Sequence, residues 1–395
     1  MRLAGGALTE IARDRALNPW FVAVDELRRT LEERNTPFVS FANYDYLGLS
    51  ADARLRAAAA DAVQVHGIGA LGSRLVGGER LCHQEFEREM AAFLGTEAAL
   101  SLVSGYLTNA STVTHLLSAS DLIVYDELCH NSLMAGVAGS RATALVFRHN
   151  DLDHLEHVLA GNRGRYKRCL VLAEGLYSMD GDHPDLARLV EIKDRHGAWL
   201  LLDEAHSIGV LGERGRGLTE LCGVDPRRVD LITGTLSKTF ASCGGFVAAA
   251  EETVQWLRFT LPGFVYSVGL SPPIAAAARQ ALSILVEEPW RVRRLRENAE
   301  LFVATARALG LETGSAVGRG IVPVFFGSNE ETLLASQALL RQGFYCPPVV
   351  QVGVPKNRPR LRFFLSAAHE PPAIRQALAI LANHATPAAT QAAAE

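Results

Sequence analysis

Lys238 stands in the run Gly234-Thr235-Leu236-Ser237-Lys238-Thr239-Phe240, a primary amine among hydroxyls and glycines where no amphipathic period applies. Upstream, Leu200-Leu201-Leu202-Asp203-Glu204-Ala205-His206 reads as a short buried strand that ends in an acid, with an imidazole just beyond. An amine of this kind can form a Schiff base with an aldehyde. A carboxylate can pair with a pyridinium nitrogen, so that the ring becomes an electron sink. Lysine and aspartate together suggest a pyridoxal phosphate (PLP) site. Each residue alone has a plainer reading: a solvated charge, a helix cap or turn former, a hydrogen-bonded interior histidine. The ordered set, closed by Gly244-Gly245, carries the inference.

The elements that must position these groups follow from hydrophobic patterning. Leu17 to Glu33 is charged and roughly helical and leads into a strand at Phe38-Val39-Ser40-Phe41; Asp52 to Val65 is an Ala-rich helix. The stretch from Gly67 to Gly78 is too Gly-rich for a helix and is expected to be a loop. His83 to Leu94 is again helical. Apolar runs then alternate with helical patterns. The runs are Ala98–Val103, Leu122–Tyr125, Ala144–Phe147, Leu170–Ala173, Trp199–Leu202 and Leu231–Thr233, with a further strand at Phe246-Val247-Ala248-Ala249. The intervening helices are Asn109–Leu117, Asp151–Leu159 and Asp185–His196. Strands that are apolar throughout predict an α/β fold with a mainly parallel central sheet covered by helices. Ligands of such sheets gather at the carboxyl ends of the strands, where Asp203 falls.

A long helix from Trp290 to Leu309, strands at Ile321–Phe326 and Leu361–Leu365, and a helix from Pro372 to Asn383 predict a smaller α+β layer. The expected organisation is an N-terminal segment (1–50), a large cofactor-binding domain (51–288), a small C-terminal domain (289–384) and a flexible tail (385–395).

The bulk properties remove other classes. With 395 residues, 48% of them hydrophobic, the chain can bury a large core. A net charge of −4 argues against nucleic acid as a partner. No apolar stretch approaches the ~20 residues that span a bilayer. Charges from Glu10 to Arg15 leave no room for a signal-peptide core, so a cytoplasmic protein is expected. The cysteines (82, 129, 169, 222, 243 and 346) include no Cys-x-x-Cys pair, so reduced thiols and no metal are expected.

From about Phe41 to His369 the chain resembles the α-oxoamine synthases, PLP enzymes of fold type I. The resemblance is carried by Tyr44-Asp45-Tyr46-Leu47-Gly48-Leu49, Gly72-Ser73-Arg74-Leu75-Val76, Ser104-Gly105-Tyr106 and the block from Asp126 to Leu133. It continues through His149-Asn150-Asp151, the block from Glu174 to Gly181, Asp203 to Gly209, the lysine loop, Pro272-Pro273 and Ser366-Ala367-Ala368-His369. The Asp203 block, the Lys238 loop and Tyr44 lean toward the serine palmitoyltransferase branch.

The resemblance implies a homodimer that condenses a small amino acid (Ser, Ala or Gly) with an acyl thioester of coenzyme A or a carrier protein, losing carbon dioxide. It implies Lys238 as the Schiff-base lysine and proton carrier, Asp203 at the ring nitrogen, His206 at the phenolic oxygen and His130 stacked on the ring. Backbone amides at Gly105 and Tyr106, with Thr235, would hold the phosphate, and Ser267 would reach in from a second subunit. Glu174 and Ser178 would lie at the ring edge, and Tyr44 at the substrate. One departure stands out. The family's arginine before a Pro-Pro is missing, whether aligned at Cys346 or at Val350, which leaves Arg362 as the candidate for the substrate carboxylate. Two other readings remain open: an aminotransferase of the same fold, and a non-catalytic partner subunit of a palmitoyltransferase-like complex. The latter would lack the lysine.

Overall fold

The computed structural model describes residues 38–350 and 358–384. The helix expected from Leu17 and the tail from Ala385 lie outside the described residues. Strands run in the order β1 (Val39–Ser40), β2 (Ala98–Leu102), β3 (Leu122–Asp126), β4 (Thr143–Phe147), β5 (Cys169–Glu174), β6 (Trp199–Asp203), β7 (Leu231–Thr235) and β8 (Gly245–Ala249). They are followed by β9 (Ile321–Phe325), β10 (Phe344–Tyr345), β11 (Pro348–Val349) and β12 (Arg360–Phe364).

The central sheet has seven strands in the order β2-β8-β7-β6-β5-β3-β4. β3 to β7 pair in parallel, whereas β8 is antiparallel to both of its neighbours. Each central strand feeds two cores by simple alternation. Leu122, Val124, Val171, Ala173, Leu200 and Leu202 enter one cluster, and Ile123, Leu170, Leu172 and Leu201 the other. Helices cover both faces, which is why these runs are apolar throughout rather than alternating with polar residues. The parallel strands end together, so Asp126, Glu174, Asp203 and Thr235 all lie at one edge of the sheet.

The smaller layer is an antiparallel sheet, β11-β12-β9. β1 pairs in parallel with β10, and the Phe41 carbonyl accepts the Phe364 N–H at 2.9 Å. The segment carrying Tyr44 and Tyr46 is thereby stitched to the smaller layer. The Gly67–Gly78 stretch departs from the sequence expectation, because Arg74–Gly78 forms a π-helical turn. Arg74 is buried there on Glu79 and Glu87, and these ion pairs hold a turn that propensity alone would not form. The helix expected from Asn109 starts instead at Gly105 and runs to Leu116, because Ser104 caps it through the Leu107 N–H. A helix at Pro272–Glu287, not foreseen beyond its Pro-Pro start, packs on the helix Ala53–His66.

Candidate active site

A cavity of about 530 Å³ opens at the carboxyl ends of the parallel strands. Tyr44, Gly105, Tyr106, His130, Glu174, Ser178, Asp203, His206, Thr235, Lys238 and Arg362 all line it. Of the residues singled out in the sequence, Ser267 is the exception. It lies between exposed Tyr266 and Val268 and is not among the residues that line the cavity.

Asp203 ends β6 and is buried, with Oδ2 accepting from Asn109 Nδ2 at 2.7 Å and Oδ1 from the Ala205 N–H at 2.9 Å. The other Asn109 N–H goes to Ser132 Oγ at 2.9 Å, and Ser132 Oγ lies 2.8 Å from His130 Nδ1. His130 caps the following helix, so Nδ1 also accepts the Ser132 N–H at 3.2 Å. With Nδ1 an acceptor, the His130 proton sits on Nε2. A chain of hydrogen bonds thus joins Asp203 to His130. Burial lowers the His130 pKa, and the charges of Lys238 and Arg362 act the same way against Asp203.

Burial pushes the Lys238 amine down to about 8, although Asp203 and Glu174 pull the other way. Such an amine can hold or release a proton near neutral pH. Its Nζ lies 5.7 Å from the Tyr44 ring centre. Glu174, at the end of β5 beside Asp203, has its pKa raised well above the carboxylate range by burial, and next by the Asp203 charge. It accepts the His130 backbone N–H.

Also on the cavity lining, Gly105 opens a helix whose first amides have no intrahelical partner. A Cβ on Gly105 would lie 2.8 Å from both Thr235 Cβ and Thr235 Oγ1, so only glycine lets helix and strand come this close. The Thr235 and Ser237 hydroxyls, 2.8 Å apart, stand beside these amides. This is a cradle for an anion.

Arg362, on β12, enters from the smaller layer. Its Nη1 donates to the Ser178 carbonyl at 3.0 Å, its guanidinium stacks 4.7 Å from the Phe364 ring centre, and Nε has no partner. No carboxylate pairs with it among the described residues. Its neighbour Arg360 is the closed counterpart, buried on Asp180 Oδ1 at 2.5 Å and the Met179 carbonyl at 3.0 Å. Cys346 and Val350, where the family's other arginine would stand, are buried outside the cavity lining.

Sequence reasoning missed Asn109 and Tyr46. Asn109 lies one helical turn beyond Gly105 on a helix that could have been started at the Ser104 cap. Tyr46, whose hydroxyl is 2.8 Å from His206 Nδ1, lies within a quoted motif but carried no assigned task.

The donor set fits PLP. It offers an anion cradle, an amine, a fixed carboxylate and an imidazole around one cavity, and Asn109 Oδ1 is a buried acceptor without a partner. Comparison with known proteins agrees. The aminotransferase class I and II profile matches residues 36–381. The chain is 39% identical to the 8-amino-7-oxononanoate synthase of Beijerinckia indica, covering 87% of this chain and 90% of that one. It is 38% identical to a putative 8-amino-7-oxononanoate synthase of Microcystis aeruginosa, with 86% of each covered. Among solved structures, Sphingomonas wittichii serine palmitoyltransferase superposes with a TM-score of 0.84 at 29% identity, covering 88% of this chain and 87% of that one. A serine palmitoyltransferase variant from S. paucimobilis with bound PLP gives 0.83 at 29% identity, with the same coverage. The expected α/β fold of type I and the expected cofactor both hold. The chain belongs to the aminotransferase class I and II family, in its α-oxoamine synthase-like group, and is a PLP-dependent acyltransferase.

Proposed function

We propose that the cavity condenses a small α-amino acid (serine, alanine or glycine) with an acyl thioester of coenzyme A or a carrier protein. The products are an α-oxoamine, carbon dioxide and free thiol. The observation that carries this reading is that Arg362 reaches the same cavity as Lys238, Asp203, His206 and His130 with no carboxylate partner of its own.

When bound, PLP supplies an electron sink for charge that develops at the substrate α-carbon. The protein supplies the rest. Lys238 is the covalent anchor and then the base that moves a proton at the α-carbon; its amine, held at about 8 by burial, suits both tasks. Asp203, fixed by Asn109 and Ala205, presents a rigid carboxylate to the ring nitrogen and keeps that nitrogen protonated. His206 would hydrogen-bond the phenolic oxygen. His130, with its proton on Nε2, would cover the ring face and orient the thioester. The amides of Gly105 and Tyr106, with Thr235, would take the phosphate. Glu174 and Ser178 would support the ring edge. Arg362 takes the amino-acid carboxylate, and Tyr44 packs on the substrate side of Lys238.

In a homodimer, Ser267 would serve the partner's phosphate, in keeping with its place outside the lining of its own cavity and beside the exposed Tyr266. A division into a large domain at 51–288 and a small one at 289–384 would let Arg362 close on bound substrate. None of the described helices is long and apolar enough to cross a membrane. An aminotransferase acting on a dicarboxylate would use a second free arginine, and none lines the cavity among the described residues.

The test is release of free thiol and carbon dioxide from serine, alanine and glycine, each paired with acyl thioesters of increasing chain length. Equal amounts of both products, dependent on both substrates, are expected. Transfer of the amino group to an oxo acid without thiol release would overturn the proposal in favour of the aminotransferase. A PLP-free, inactive chain would point to the partner-subunit reading.

A further inference from the structure

Tyr46 is fully buried, and His206 Nδ1 is the one polar partner of its hydroxyl among the described residues, at 2.8 Å. Burial raises the Tyr46 pKa well above its ordinary value, so the hydroxyl keeps its proton. Burial also drives the His206 pKa well below the usual imidazole range, and the charges of Lys238, Arg362 and His130 act in the same direction. At neutral pH His206 therefore carries one ring proton, on one nitrogen or the other.

The buried hydroxyl decides which. If Nδ1 held the proton and donated it to the Tyr46 oxygen, the tyrosine O–H would be left inside the protein with no acceptor, a costly arrangement. If Tyr46 donates to Nδ1, the buried O–H and Nδ1 satisfy each other and the imidazole proton sits on Nε2. Nε2 has no partner among the described residues and is the nitrogen left to face the cavity that His206 lines.

The space for this tyrosine is specific. A Cβ on Gly320 would lie 2.9 Å from Tyr46 Cδ1 and Cε1, so the loop before β9 must be bare where the ring rests. The Ala367 N–H donates to the Tyr46 carbonyl at 2.8 Å, and the neighbouring Phe364 ring stacks on the His206 ring at an interplanar angle of 18°. Tyr46 is thereby held from the smaller layer while its hydroxyl works in the larger one.

We propose that Tyr46 is a positioning residue that fixes His206 as the Nε2–H tautomer, so that the imidazole always presents a donor to an anionic oxygen of the bound cofactor. The benefit of this donor rests on the cofactor reading of the cavity, but the tautomer itself does not.

Nitrogen-15 spectra of histidine-labelled protein free of cofactor test the tautomer directly. The His206 signals can be assigned by their loss in His206→Gln. Wild type is expected to show a single Nε2–H tautomer at pH 7. Tyr46→Phe, which removes one oxygen, is expected to leave His206 exchanging between tautomers while the His130 signals stay in place. A predominant Nδ1–H form in wild type, or an unchanged His206 spectrum in Tyr46→Phe, would overturn the proposal. If Tyr46→Phe does not fold, the wild-type spectrum still decides. PLP titration of the same proteins then reads the consequence, an expected loss of about 2- to 10-fold in cofactor affinity, the size of one neutral hydrogen bond. A changed tautomer with no loss of PLP affinity would leave the Tyr46 inference standing and count against His206 as a cofactor contact.

Discussion

Two arginines on one strand, Arg360 and Arg362, are built from the same materials and end in opposite states. Both stack on a phenylalanine ring, Arg360 at 4.3 Å from Phe325 and Arg362 at 4.7 Å from Phe364, and both touch the Ser178–Asp180 segment. Arg360 closes its charge on Asp180, whereas Arg362 meets only a carbonyl and a thioether and leaves Nε bare. Two clusters outside the cavity lining repeat the closed arrangement: Arg74 pairs with Glu79 and Glu87, and His149 lies between Asp126 and Asp182. Around the cavity, Lys238 and Arg362 have no ion-pair partner among the described residues. A half-buried cation without a counter-ion is costly, which is the physical ground for proposing that a ligand supplies the missing charge here. On the proposed function, the closed clusters are structural and the open ones serve the chemistry.

The largest effect should come from the open set. Lys238→Ala is expected to abolish turnover while PLP still binds through the remaining contacts, because anchor and proton carrier are lost together. Steady-state thiol release and cofactor titration check both halves, and near-wild-type turnover would remove Lys238 from its role. Asp203→Asn should lose on the order of 10²-fold or more in rate with the chain still folded, since a neutral amide cannot keep the ring nitrogen protonated. A rate within a few fold of wild type would mean that another acid serves the ring.

A closed cluster should behave differently. His149 is pushed up to about 10 from an ordinary 6.5, because its bonds to Asp126 and Asp182 outweigh burial. A raised folded-state pKa adds stability that is fully present below about 6.5 and is lost as pH rises through about 10. His149→Gln is therefore expected to cost roughly 3 kcal/mol at pH 6, in the range for breaking a buried pair. The gap from wild type should narrow toward pH 10. Urea unfolding at pH 6 and pH 9 measures it, and a gap that does not change with pH would show that the pair is not charged in the folded protein.

Much of this was legible in the chain. The apolar runs ended in Asp203, Glu174 and Asp126 because strands buried on both faces leave room for acids only at their ends. The lysine loop stood out because neither helical nor strand period explains it. What could not be read was the partnering. Tyr46 meets His206 across 160 positions and Asn109 meets Asp203 across 94, and neither helix period nor strand alternation links residues so far apart. The π-helical turn at Arg74 escaped for a similar reason, since ion pairs to Glu79 and Glu87 hold it against the local glycines. Arg360 and Arg362 have the same residue type and the same parity on the strand, so only the position of Asp180 separates the structural arginine from the open one.

That separation is where the account is most exposed. Amino-acid titration of the PLP-loaded protein, followed through the cofactor's visible absorption, should be run on wild type, Arg362→Ala and Arg360→Ala alongside melting curves. Arg362→Ala is expected to weaken amino-acid binding by about 10- to 150-fold, the equivalent of roughly 1.5–3 kcal/mol for a charge-assisted pair, with little change in melting temperature. Arg360→Ala should show the reverse, a lowered melting temperature and a nearly unshifted titration of the folded fraction. An unshifted binding curve with a lowered melting temperature in Arg362→Ala would contradict the assignment of Arg362 to the substrate carboxylate.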